Sequence, residues 1–331
     1  MLNLAMWGKA LTAVPKISSD DWQGLDIISR WLIATRFAVA IMTFTSAAFA
    51  GLLAAKDGHF NFVLWILVTL GLCFAHATNN LINDLTDYWK GVDKDNYFRT
   101  QYGPQTVEAG LLSVRQMITY IVATGALALL AGAYLVAERG ELALLLLGLG
   151  AFFVLFYTFP LKYIGMGEPA VLLVWGPLMV GGGYFVITNQ WSNDVALASI
   201  AYALAPTAVL FGKHIDKMDA DKRLGIRTLP VLLGESLARK CVLGMFVAQY
   251  VLIAALIWSG YFSYMLAVVL IAVPSLLRIW KIYSKPRPEE PPAEFAKAWP
   301  LWFVAASFWY TRRFGGLFLL GLIADVIVSR F

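Results

Sequence analysis

The chain has 331 residues and a net charge of +5, with 60% hydrophobic and only 14% charged positions. A soluble domain carries about a quarter charged residues, so this composition excludes an ordinary water-soluble globule. The basic balance belongs to membrane topology and contact with anionic lipid, since no nucleic-acid motif is present.

Residues 1–30 mix Trp7, Trp22 and leucines with charges, and no apolar stretch there ends at a small-residue cleavage site. The segment is read as a cytoplasmic or interfacial piece lying along the membrane surface, not as a signal peptide. From residue 31 to 331 the chain reads as one all-α, polytopic transmembrane domain. Apolar runs of about 17–25 residues can cross a bilayer. Nine such runs are expected around a central cavity, at roughly 31–55, 61–83, 115–136, 142–160, 169–188, 196–213, 239–259, 262–282 and 314–329. The Trp-rich stretch 295–311 is a candidate interfacial or re-entrant tenth piece. Lys and Arg gather in the N-terminal segment and in the even-numbered loops, so the positive-inside rule places the N-terminus and both loops described next on the cytoplasmic side. Cys73 and Cys241 lie in apolar helices, far from any CxxC spacing, and read as packing thiols.

The second run ends in Asn80-Leu-Ile-Asn83-Asp84-Leu-Thr-Asp87-Tyr-Trp-Lys90-Gly91-Val-Asp93-Lys-Asp95. Asn80, Asn83, Asp84 and Asp87 stand at i, i+3, i+4 and i+7, one face of a helix. Two carboxylates and two amide oxygens on one face suit a hard cation such as Mg²⁺, which takes one or two protein carboxylates and leaves positions for phosphate oxygens. Asp93, just past the expected helix end at Gly91, and Asp95 can bind a second ion or hold the loop. Carboxylates at a membrane edge are functional candidates by default.

The fourth run ends in Tyr157-Thr-Phe-Pro160-Leu-Lys162. Pro160 is expected to stop the helix and Lys162 to mark the cytoplasmic boundary. Tyr157, one turn inside, can present its ring to a cation or serve as an interfacial anchor. Trp175-Gly-Pro177 and Gly181-Gly-Gly183 allow a kink or close helix contact in the fifth run.

The sixth run ends in Lys213-His214-Ile-Asp216-Lys217-Met-Asp219-Ala-Asp221-Lys222-Arg223. Asp216 and Asp219, at i and i+3, can share a face; Asp221 joins them only if the helix has already ended. Lys213, Lys217, Arg223 and Arg227 are candidates to hold phosphate oxygens and balance the carboxylates. His214 reads as a structural hydrogen-bonder at a helix end, with a base as the alternative. Helix, acidic end and polar loop thus occur twice, a weak repeat that suggests two halves contributing carboxylates to a common cavity. Lys285-Pro-Arg-Pro-Glu-Glu-Pro-Pro292 is a stiff connection to the last helices.

With these stretches assembled, the sequence resembles the UbiA superfamily of intramembrane prenyltransferases, over about residues 30–325. Asn83-Asp84-Leu-Thr-Asp87 matches that family's first motif. Asp87-Tyr-Trp-Lys-Gly-Val-Asp93, Tyr102-Gly-Pro-Gln-Thr-Val-Glu-Ala-Gly110, Gly167-Glu168, Trp175-Gly-Pro177 and Gly225-Ile-Arg-Thr-Leu-Pro-Val-Leu-Leu-Gly234 are most similar to the 1,4-dihydroxy-2-naphthoate branch of menaquinone synthesis. That branch usually has Asp, three residues, then Asp in its second motif. Here the position four before Asp221 is Lys217, with Asp216 one place earlier.

The resemblance implies Mg²⁺-dependent transfer of a polyprenyl group from its diphosphate to an aromatic acceptor in the membrane. It assigns metal to Asn83, Asp84, Asp87, Asp93, Asp216, Asp219 and Asp221, and substrate contacts to Asn80, Asn83, Lys90, Lys162, Lys213, Lys217, Arg223 and Arg227. Asp84, Asp87, Asp216, Asp219 and Tyr157 are the expected catalytic residues. The competing classes are a cation-coupled transporter, whose carboxylates belong near the bilayer midplane, and a CDP-alcohol phosphotransferase, whose Asp-Gly-x-x-Ala-Arg core is absent.

Overall fold

The computed structural model describes residues 2–94, 101, 103–291 and 299–329. Asp95 lies outside the described residues. Every regular element among them is helical, as the sequence led us to expect.

Among the described residues seven segments are long and apolar enough to cross a membrane: Phe37–Lys56, Phe62–Trp89, Val114–Arg139, Gly167–Thr188, Asn193–Asp216, Glu235–Trp258 and Tyr264–Tyr283. The expected number was nine. Glu141–Phe156 is apolar but shorter. The expected short run 314–329 is the second half of one 27-residue helix, Trp302–Val328, which carries Arg312, Arg313 and Asp325. Residues 302–311 are the first half of that helix and not a separate interfacial piece.

The chain forms two compact units, Met1–Phe44 with Thr69–Pro160 and Thr45–Val68 with Leu161–Phe331. In the first, α1 (Leu4–Thr12), α2 (Ser19–Gln23) and α3 (Ile27–Ala34) bring the first 30 residues into a core with Leu81, Leu85, Leu112 and Met117. Asp26 caps α3 by accepting from the Ile28 and Ser29 amides, both at 3.0 Å, and also accepts from the Trp7 indole at 3.0 Å and the Asn3 amide at 3.1 Å. Desolvation pushes its carboxyl up, but the hydrogen bonds from Ser29, Trp7 and Asn3 outweigh it and hold the group well below the usual carboxylate range.

The expected first run, 31–55, is broken. Helix α3 ends at Ala34, and Arg36 sits in the left-handed region at φ 51°, ψ 46°, before a 3-10 turn leads into α4 (Ile41–Lys56). A bulky non-glycine residue rarely adopts this conformation. Helix α5 (Phe62–Trp89) has 28 residues, about 42 Å at 1.5 Å per residue. That exceeds a hydrocarbon core of about 30 Å, so its acidic last turns reach past the apolar zone. Helices α6 (Val114–Arg139) and α7 (Glu141–Phe156) pair across Gly140, which has φ 72°.

In the second unit, α8 (Gly167–Leu173) runs through a π-helical segment, Val174–Gly181, into α9 (Gly182–Thr188). Gly176 and Pro177 kink this span, as the sequence suggested. A Cβ at Gly176 would lie 2.9 Å from Ala203 Cβ, so only glycine permits this approach to α10 (Asn193–Asp216). Helix α10 is the central element, packed on α13 (Glu235–Trp258) and α15 (Trp302–Val328). Between α10 and α13 lie the short helices α11 (Met218–Arg223) and α12 (Leu229–Leu233), and α14 (Val273–Tyr283) precedes α15. Phe49, Tyr202, Phe246, Phe262, Phe314 and Phe318 form its buried aromatic core.

Candidate functional site

The first acidic centre is the C-terminal end of α5. Asn83, Asp84, Asp87 and Asp93 are all buried. Asn80 donates its amide to the Thr35 carbonyl at 2.8 Å, and Asn83 donates to Thr158 Oγ1 at 3.1 Å. Each asparagine thus anchors the helix through its nitrogen. Arg36 reaches Asp84 Oδ1 at 2.7 Å, with both side chains under 10% exposed, and donates to the Asn80 carbonyl at 3.3 Å. Removing one partner of such a buried pair costs about 3–5 kcal/mol. Its strained backbone places this guanidinium, and strain of this kind clusters at functional sites.

Helix α5 ends in a Schellman motif. Gly91, at φ 66°, lets Val92 donate back to the Asp87 carbonyl at 2.8 Å, and the Val92 side chain is buried. The motif seats Asp87 and Asp93 inside the fold. Three carboxylates are thus buried at this helix end, and Arg36 pairs with one of them, Asp84. Asp84 and Asp87, on successive turns with Asn83 beside them, are a donor set of the kind Mg²⁺ takes. Among the described residues no three His, Cys, Asp or Glu side chains already converge into a cage.

Lys90 is exposed and lies over the Phe159 ring, 3.8 Å from its centroid. Tyr157 is half-buried just past α7.

The second acidic centre is built differently. Helix α10 stops at Lys217, whose φ of −111° and ψ of 17° break the helical path before α11. The expected common face of Asp216 and Asp219 is lost at that break. Asp216 accepts from the Phe303 and Val304 amides, each at 2.9 Å, and so caps the first turn of α15. Asp219 is exposed, with only Lys222 nearby at 4.0 Å. Asp221 does turn inward: Lys217 Nζ donates to its Oδ1 at 2.7 Å, both side chains being buried. Among the described residues Asp221 Oδ2 has no hydrogen-bond partner.

His214 pairs through Nδ1 with Glu168 Oε1 at 2.5 Å, both side chains 1% exposed, and Glu168 Oε2 accepts from the Leu229 amide at 3.3 Å. The side chain of Lys162, expected at the cytoplasmic boundary, is buried. Arg223 and Arg227 are exposed.

Sequence reading overlooked Arg36 and the Glu168–His214 pair. The signal for Arg36 was available, as a lone charge inside an apolar run. Nothing in the spacing of Glu168 and His214, 46 residues apart, announces their contact.

Residues 44–319 match the model of the UbiA prenyltransferase family. The chain is 29% identical over 220 residues to 1,4-dihydroxy-2-naphthoate octaprenyltransferase of Escherichia coli (strain K12), covering 63% of this chain and 70% of that protein. It is 27% identical over 257 residues to the protein of the same name in Haemophilus influenzae, covering 71% and 79%. Its fold is similar to the apo structure of a UbiA homolog from Aeropyrum pernix K1, with a TM-score of 0.63 at 19% identity over 87% of this chain and 98% of that one. It is also similar to a UbiA homolog from Archaeoglobus fulgidus bound to GPP and Mg²⁺, with a TM-score of 0.54 at 17% identity over 87% and 99%.

Proposed function

This chain belongs to the UbiA prenyltransferase family, and on that premise we propose that it transfers a polyprenyl group from a polyprenyl diphosphate to 1,4-dihydroxy-2-naphthoate, a step of menaquinone synthesis. The acceptor is taken from the two bacterial relatives that carry that activity in their names. The observation that carries the reading is the end of α5, where two buried carboxylates stand on successive turns and one of them, Asp84, is held by Arg36.

We assign Mg²⁺ to Asp84 and Asp87, with Asn83, facing the cytoplasmic side. When bound, Mg²⁺ supplies positive charge that stabilises the departing diphosphate. Arg36 aims Asp84, and Lys90 donates to diphosphate oxygens. The allylic C–O bond breaks with its electron pair leaving on the diphosphate. The Tyr157 ring faces the resulting cation, and apolar helix walls keep water from it. The electron-rich acceptor ring forms the new C–C bond and then releases a proton or CO₂ to regain aromaticity. No protein nucleophile is required.

The test is incubation of the purified, detergent-solubilised protein with Mg²⁺, labelled geranylgeranyl diphosphate and a panel of aromatic acceptors. A prenylated naphthohydroquinone, which air oxidises to the quinone during work-up, is expected, and it is expected to disappear in Asp84→Asn. Product with a different ring alone would refute the acceptor and keep the chemistry. No product and no diphosphate release from folded protein would refute the reading.

A further inference from the structure

We propose that the second acidic centre takes no divalent cation, and that the Lys217 ammonium is its resident counter-charge. The inference rests on the reading that metal binds at the first centre, and it gives the two centres different chemistry.

Each carboxylate of the second cluster has another commitment. Both oxygens of Asp216 accept amide protons at the start of α15. A metal there would strip two hydrogen bonds from a helix end that needs them. Asp219 is on the surface, with its side chain 92% exposed. Glu168 is held by His214 and the Leu229 amide. Asp221 remains, and Lys217 already sits 2.7 Å from one of its oxygens. A single oxygen, Asp221 Oδ2, is left over. One acceptor atom suits one hydrogen-bond donor, whereas Mg²⁺ demands a near-octahedral set of oxygens.

Charge argues the same way. The Lys217 ammonium sits on Asp221 inside this centre, and a divalent cation would enter against it. At the end of α5 Asp84, Asp87 and Asp93 are buried and Arg36 pairs with Asp84. Lys217 caps the start of α11 and Asp221 lies one turn on, so the pair is an i, i+4 contact inside the unit.

Mn²⁺ binding to the full-length protein in detergent, counted by electron paramagnetic resonance of the free ion, tests this. One site per chain is expected for the wild type. Asp221→Asn should leave its affinity within two-fold, and Asp84→Asn should weaken it more than ten-fold. Lys217→Asp should add a second site, since it removes the ammonium and supplies a second carboxylate; melting curves establish that each variant is folded. Two sites in the wild type, one of them lost in Asp221→Asn, would overturn the inference. If Mn²⁺ binding survives both Asp84→Asn and Asp221→Asn, the first-centre assignment fails while this one stands.

Discussion

Asp87 and Asp221 occupy the same place in the same backbone motif. Each carbonyl accepts the amide of a buried aliphatic residue five positions on, Val92 at 2.8 Å and Ile226 at 2.9 Å, across a left-handed glycine, Gly91 or Gly225. Each motif turns its aspartate into the fold. The residues just before differ. Asn83 and Asp84 precede Asp87 by four and three positions, while Lys217 and Met218 precede Asp221 by the same steps. One end therefore sets Asn83, Asp84 and Asp87 together with Arg36 on Asp84, and the other closes on itself as a Lys–Asp pair. A recurring turn fixes where a carboxylate points; the preceding helical turn decides whether charge is left for a ligand.

The largest test of that contrast is Asp84→Asn. Loss of a carboxylate that holds the charge-stabilising ion should lower kcat/KM about 10²–10³-fold, measured as prenyl transfer below the variant's melting temperature, which should itself fall because Arg36 is left buried without its carboxylate. Next comes Arg36→Leu, which leaves Asp84 buried without its guanidinium. It should destabilise the protein by about 3–5 kcal/mol, read by thermal unfolding in detergent, and Arg36→Lys should recover part of that. Asp216→Ala removes a helix cap and should cost about 0.5–2 kcal/mol, with Mn²⁺ affinity within two-fold. A loss of Mn²⁺ binding there would break the comparison. Gly91→Ala and Gly225→Ala should each cost about 1 kcal/mol and should match one another, because neither Cβ would meet any atom within 4 Å. Unequal costs would mean that the shared turn is not an equivalent element at the two sites. Smallest is Asp219→Ala, an exposed position expected to change stability by no more than about 0.5 kcal/mol.

The helical class, the membrane character and both acidic stretches were legible because composition and i, i+3, i+4 spacing are local properties. The Gly176–Pro177 kink was legible for the same reason. The break at Arg36 was not. An apolar run with one arginine reads as a single span, and the left-handed turn exists because that arginine meets Asp84, 48 positions along the chain. Asp216 illustrates the other failure. Its spacing from Asp219 is right for a shared face, but its carboxylate serves the amides of Phe303 and Val304, and such a cap leaves no trace in the local sequence. The last helix was divided at its arginines because charge interrupts a hydropathy window, although the backbone runs on from Trp302 to Val328.

The most direct measurement is the rate of diphosphate release from geranylgeranyl diphosphate with Mg²⁺ and 1,4-dihydroxy-2-naphthoate, for wild type, Asp84→Asn and Asp219→Ala side by side. The account predicts a fall of at least about 100-fold in Asp84→Asn and a rate within two-fold of wild type in Asp219→Ala. Equal losses in both variants, or a fully active Asp84→Asn, would contradict it.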